Sequence, residues 1–312
     1  MILQSSILKT IAFFDLFDFP LTAEEVQRYL YGYGQPVHIK EIKGTLALMP
    51  SLESLKDYYF LKGRGELVRI REARQYRAQQ YWDRVKFYGL HMRQIPFVRM
   101  IAVCNTLSYN NVTDESDIDL LVITEPGRLW TARLFLTLLL QFFGVRRHGN
   151  KIAERFCLSF FVTTQRLNFQ PLLLAPEDPY LAYWLAFLAP IEGRETYDHL
   201  KKLNEVWLKA DYGLIFPPEQ GRHFYALEKS RLKRFQEWTL RGRLGDLFEK
   251  LIQYFWKKRT QKKAGLLDPA TSGVRIENDF LKFHDHDRRR EYYDAWIRKV
   301  TESPLPETQS NS

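Results

Sequence analysis

Between residues 5 and 19 the stretch SSILKTIAFFDLFDF places apolar residues at helical spacing, and Pro20 ends the run. Thr22 and Glu25 then stand in the relation of a capping box for the helix of TAEEVQRYL. After the glycine-containing loop YGYGQP, a third helical pattern covers roughly residues 39 to 48. YYFLKGRGELVRIR reads as two short strands around a turn at Gly63, Arg64 and Gly65. Three helices followed by a hairpin is the order of a winged helix-turn-helix, so residues 1–75 are expected to form a winged-helix-like domain, with Arg64 at the wing tip within reach of a phosphate.

Residues 76–95 are polar and rich in Arg and Gln, and predict a connecting helix that stops near Pro96. The pattern then changes. A strand (FVRMIAVC) leads through a polar turn (NTLSYNNVTDES) to a second strand (DIDLLVIT). A Pro126-Gly127 turn, a long apolar helix over 129–143 and a third strand (RFCLSFFVTT) follow. This alternation predicts a small mixed sheet over residues 96–170. Patterns from 171 to 302 are almost wholly helical, and 303–312 has the composition of a disordered tail. The expected class is α+β in three parts.

Composition agrees with a globular chain: 45% of the 312 residues are hydrophobic and 15% aromatic. The longest apolar run, residues 129–143, contains Arg133 and is shorter than the roughly 20 residues that a membrane span requires. No membrane partner and no signal peptide are expected. With two cysteines, Cys104 and Cys157, placed in apolar runs, a cytoplasmic location is the default. The formal charge of +9 is uneven, because residues 228–263 hold twelve Lys or Arg against four acids. This segment reads either as a solvated helix face or as a surface for nucleic acid or another phosphate-rich partner. Trp238, Tyr254, Phe255 and Trp256 interleave with its cations at spacings expected of a buried face.

The stretch TDESDIDLLVIT, residues 113–124, carries the most specific chemistry. On a strand Asp117 and Asp119 point the same way, while Ile118, Leu120 and Val122 point into a core. Two carboxylates side by side repel unless a cation compensates them, and Mg²⁺ held jointly by carboxylates and nucleotide phosphates is a natural solution. Strand, polar turn and D-x-D strand in this order resemble the nucleotidyltransferases of the DNA polymerase β superfamily. The arrangement is closest to bacterial members with a winged-helix-like segment before the core and helices behind it.

The resemblance implies that Asp117 and Asp119 bind metal and that an NTP donates a nucleoside monophosphate to a hydroxyl acceptor, which is a small molecule, a protein or an RNA. It also implies a phosphate-binding turn at Asn105, Thr106 and Ser108, where Asn105-Thr106 replaces the family's Gly-Ser pair. The third strand carries no acid on the face of Cys157, Ser159 and Thr163, so Glu154, at its start, is the candidate third carboxylate and base. Arg146, Arg147, His148 and Lys151 precede that strand; Arg146 and Lys151 are the candidate triphosphate contacts. The alternative to an active enzyme is a non-catalytic nucleotide- or nucleic-acid-binding regulatory protein. Elsewhere, HDHD at 284–287 reads as a helix cap, Asn204 and Trp207 as braces within the helical part, and Arg133 as a charge in need of a partner.

Overall fold

The structure, a computed structural model, describes residues 2–216, 230–264, 273–283 and 286–304. Helix α1 (Ile2–Asp15) leads through the two-residue strand β1 (Leu21–Thr22) into α2 (Ala23–Arg28) and α3 (Ile39–Ala47). The capping box forms as expected: Glu25 N–H donates to Thr22 Oγ1, and Thr22 N–H donates to Glu25 Oε2. Strands β2 (Leu52–Leu55) and β3 (Tyr58–Leu61) pair antiparallel, and β3 also pairs with β1. The long helix α4 (Leu67–Met92) follows.

This hairpin is not the expected one. Its turn is Lys56-Asp57, with φ of 51° and 64°, the doubly left-handed conformation that joins twisted strands through two residues. ELVRIR is instead the start of α4. Arg64 does not point outward from a wing; it pairs with Asp15, Asp18 and Glu66.

The second sheet has six strands: β4 (Val98–Val103), β5 (Ile118–Thr124), β6 (Phe156–Thr163), β7 (Ala189–Glu192), β8 (Arg275–Ile276) and β9 (Phe280–Lys282), in the order β7-β4-β5-β6-β9-β8. The β5–β6 pair is parallel, which requires a crossover, and α5 (Leu129–Phe142) supplies it. The other neighbours are antiparallel. Helices α6 (Pro179–Ala186) and α7 (Arg194–Tyr212) flank β7, and α8 (Arg231–Thr239), α9 (Arg243–Ala264) and α10 (Arg289–Glu302) complete the chain.

Strand alternation divides the interior in two. Leu121 and Ile123 face a cluster built with α1, α3, α6, α7 and Trp296 of α10. Ile118, Leu120 and Val122 face a cluster with α4, α5 and Ile252 of α9. Residues 1–75 and 171–302 therefore do not have separate interiors, since Phe13, Phe14, Tyr183 and Trp296 belong to one core. Trp296 also donates its indole N–H to Lys9 O at 2.8 Å, fastening α10 to α1. The part expected to be helical contributes β7, β8 and β9, short strands of which β7 and β9 pair with strands far away in sequence and β8 forms the edge beside β9.

Asn204 braces the interior as expected. It donates to Leu167 O and Leu200 O and accepts from Phe169 N–H and Trp207 Nε1. Arg133 is enclosed by the rings of Phe283, Trp256 and Phe161 at 4.3, 4.9 and 5.8 Å; burial pulls its guanidinium down to about 9. Of the HDHD run, His284 and Asp285 lie outside the described residues. Asp287 accepts from Arg289 N–H, close to the expected cap, and pairs with Lys282 and the Arg289 guanidinium. The tail beyond residue 304 also lies outside the described residues. Among the described residues no helix is long and apolar enough to cross a membrane.

Candidate functional site

The turn after β4 is shaped by asparagines. Asn105 has φ of 58° and opens a short 3-10 helix (Asn105–Tyr109), and Asn110 closes it with φ of 60°. Asparagine enters this left-handed region at lower cost than most residues, so the turn forms without glycine. Helix α4 then holds the acid-rich loop in place. Trp82 Nε1 donates to Asn110 Oδ1 at 2.8 Å, Tyr81 donates to the carbonyls of Thr113 and Ser116, and Arg77 pairs with Asp114. Ser116 Oγ accepts from Thr113 N–H, completing the turn into β5.

Asp117 and Asp119 leave this turn on one side of β5, with Ile118 buried behind them. Asn105 Nδ2 donates to Asp119 Oδ2 at 2.6 Å, and Cys104 N–H donates to Asp119 O at 3.0 Å. These bonds join the turn to the second carboxylate. Ser108 Oγ donates to Asn105 O at 2.7 Å and stiffens the turn from within. Asn105, Thr106 and Ser108 line a cavity of about 270 Å³ together with both carboxylates. Aromatic residues supply much of the remaining wall: Phe17 from the turn after α1, Tyr180 and Trp184 from α6, and Tyr292 from α10. Tyr180 reaches Asn105 Oδ1 at 3.4 Å.

The third group beside the pair is a thiol. In the parallel register Cys157 of β6 lies opposite Asp119, and ligand atoms of Asp117, Asp119 and Cys157 fall within 4.8 Å of one another. Burial, and then Asp117, push the Asp119 carboxyl up to about 6, against the opposing pull of Asn105 and Arg147. Burial and Asp119 likewise raise the Cys157 thiol. Arg147 Nη1 donates to Asp117 Oδ2 at 2.5 Å and to Cys157 Sγ at 3.6 Å. Burial opposes its charge, but Asp117 outweighs it and holds the guanidinium firmly protonated.

The remaining candidates fall elsewhere. Glu154, the expected third carboxylate, pairs with Arg84 at 3.4 Å and is not part of the ligand group; its φ of 58° turns the chain into β6, and its N–H is held by Ser116 O. Among the described residues no third carboxylate joins the pair. Arg146 forms a bridge to Phe156 at the start of β6, and Lys151 is exposed on the turn it makes with His148. Arg147, between them, reaches the site. Cys157 sits on the strand face that the sequence marks as less apolar, but its place opposite Asp119 depends on strand register. The aromatic wall carries no local signal, because Phe17, the Tyr180–Trp184 pair and Tyr292 are separated by 108 or more residues and meet only in the folded chain.

No family model, curated protein or solved structure matches this chain. Two carboxylates offer hard oxygen ligands to a divalent cation, the usual protein share of a Mg²⁺ site that takes its other ligands from phosphates and water. The thiol is a softer donor and suits Mg²⁺ poorly.

Proposed function

We propose that the chain is a nucleotidyltransferase of the polymerase β type, transferring a nucleoside monophosphate from an NTP to a hydroxyl acceptor. The observation that carries this reading is the pair Asp117 and Asp119 side by side at the end of a cavity whose rim is the Asn105–Ser108 turn. In this reading β4, β5 and β6 form the transferase core, and α1 to α3 with the small sheet form a winged-helix-like module whose role is packing, since Arg64 is committed to internal acids.

Asp117 and Asp119 would hold Mg²⁺, which when bound neutralises charge on the triphosphate and on departing pyrophosphate. The protein's own groups do the rest. Thr106 offers its hydroxyl to a phosphate oxygen from the cavity wall. Arg147 offers a planar guanidinium beside Asp117, suited to two phosphate oxygens at once. Tyr180, Trp184 and Tyr292 exclude water from the reacting end and present flat surfaces to a base or to an aromatic acceptor. Asn105 keeps the Asp119 carboxylate oriented toward the cavity.

The direct test is pyrophosphate release from labelled NTPs with Mg²⁺ and a panel of hydroxyl acceptors. Asp119→Asn should abolish release; full activity in that variant would sink the assignment. A second reading, nucleotide binding without transfer, is favoured by Cys157 standing where a third carboxylate would serve as base. It predicts equilibrium binding of NTP that Asp119→Asn weakens, with no pyrophosphate formed for any acceptor.

A further inference from the structure

Helices α8 and α9 each turn an apolar stripe toward solvent. On α8 Leu232, Phe235 and Trp238 are 54%, 61% and 74% exposed, and on α9 Leu244, Leu247, Leu251 and Phe255 are 78%, 56%, 48% and 65% exposed. Spacings of three and four residues put each set on one helical face. The sequence pattern led to the expectation that Trp238, Tyr254 and Phe255 are core residues; of the aromatics in this segment that it singled out, only Trp256 turns inward, over Arg133.

These stripes are not the faces by which the helices dock. Helix α8 is anchored through buried Lys233 and Glu237, which bind Val98 O and Phe97 N–H at the start of β4. Helix α9 is anchored through Glu249 and Ile252 against α5. Helix α9 is thus apolar on two sides, and packing among the described residues explains one of them. The second needs an occupant.

Charge narrows the choice. The three acids of residues 230–258 are all engaged with the protein: Glu237 with Arg99, Glu249 with the α5 N-terminus, and Asp246 with Arg128. Arg231, Arg234, Arg243 and Lys250 are exposed beside the stripes. A second copy would bring like charges together. An anionic partner complements them. Four of the seven stripe residues named above are leucines, which give nothing to a stack of bases but suit the boundary between headgroups and acyl chains.

We propose that α8 and α9 form a docking surface for an anionic lipid bilayer, lying in its headgroup plane with the leucine and aromatic stripes inserted and the arginines and lysines on the phosphates. Such a contact needs no spanning helix, so the absence of one among the described residues does not bear on it.

The test is sedimentation of the full-length protein with vesicles of phosphatidylcholine and phosphatidylserine at 7:3, a composition of about one-third anionic lipid, against pure phosphatidylcholine. Binding is expected to be at least about tenfold tighter to the anionic vesicles and to weaken with salt. Leu247→Asp with Leu251→Asp, and separately Arg234→Glu with Arg243→Glu and Lys250→Glu, should each weaken it about tenfold or more. Both variants should keep the wild-type circular dichroism and melting temperature, because the side chains are exposed. No preference for anionic vesicles would overturn the proposal. So would binding of a single-stranded oligonucleotide through these residues without vesicle binding, or a dimer split by the leucine variant without vesicle binding.

Discussion

Arg147 lies with Nη1 2.5 Å from Asp117 Oδ2, so the carboxylate pair already has a cation against it. The guanidinium offsets part of the repulsion between Asp117 and Asp119, and it occupies an oxygen that a divalent ion would use. The salt bridge is partly exposed, 42% on the arginine side, and can therefore be exchanged.

Replacing Arg147 with alanine should free Asp117. In the nucleotide-free protein Mn²⁺ should bind about two- to fivefold more tightly, the equivalent of a partly exposed ion pair worth about 0.4–1 kcal/mol. NTP should bind more weakly, because the phosphates lose their guanidinium. Titration calorimetry with each ligand reads both changes, and unaltered Mn²⁺ affinity would show that Arg147 does not compete for the site.

Asp119 makes the site sensitive to pH. Its folded carboxyl titrates at about 6, above the ordinary value of 3.8, because burial and then Asp117 disfavour the charge. The folded state therefore holds this proton more tightly than the unfolded chain does. The stability it contributes is complete below about pH 4, declines between 4 and 6, and is gone above that. With chelator present, Asp119→Asn should be more stable than wild type at pH 7 by on the order of 3 kcal/mol and indistinguishable at pH 4. Divalent-ion affinity of the wild type should fall as pH drops through 6, since proton and ion compete for one carboxylate. Denaturant titrations across this range give the first result and Mn²⁺ titrations the second.

Glu249 should matter to stability far more than a charge on a basic helix ordinarily does. It is buried, accepts from the backbone N–H groups of Trp130 and Thr131 and from Thr131 Oγ1, and so closes the N-terminus of α5 from a different helix. Glu249→Ala leaves those donors without a partner in the interior and should cost about 2–4 kcal/mol by urea denaturation. A loss below about 0.5 kcal/mol would mean that water replaces the carboxylate, as at ordinary surface positions.

Gly193 follows β7 with φ of 86°, and a Cβ there would meet Arg99 O at 2.0 Å and Met100 Cα at 2.7 Å. Both the conformation and the space require glycine. Gly193→Ala should destabilise the chain by about 3 kcal/mol or more and loosen the β7–β4 pairing. Hydrogen exchange at Ala189 and Ile191 reports that loosening directly.

Elements with a local signal were legible in advance. The apolar period of α1, the Thr22–Glu25 box and the alternation of β5 each lie within about fifteen residues, and all are present. The hairpin was misplaced because Gly63 and Gly65 are the more conspicuous turn residues, while Lys56-Asp57 adopts left-handed geometry with no glycine. Strands β7, β8 and β9 are two to four residues long and have too little length for a period. The partners of β7 lie 86 or more residues away and those of β9 in β6 about 120 away, so only long-range pairing makes these two strands, and β8 then forms against β9.

The sequence alone determined that two carboxylates face together at the start of β5, because alternation along a strand is a property of the backbone. It also determined that an asparagine turn precedes them, because few residues enter the left-handed region cheaply. Which groups meet the pair was decided by tertiary structure. The parallel register of β6, set by the α5 crossover, brings Cys157 beside Asp119 and leaves Glu154 with Arg84. The direction of each helix face was decided in the same way. Periodicity shows that α9 has apolar stripes, but only its docking on α5 shows which stripe is buried and which remains for a partner.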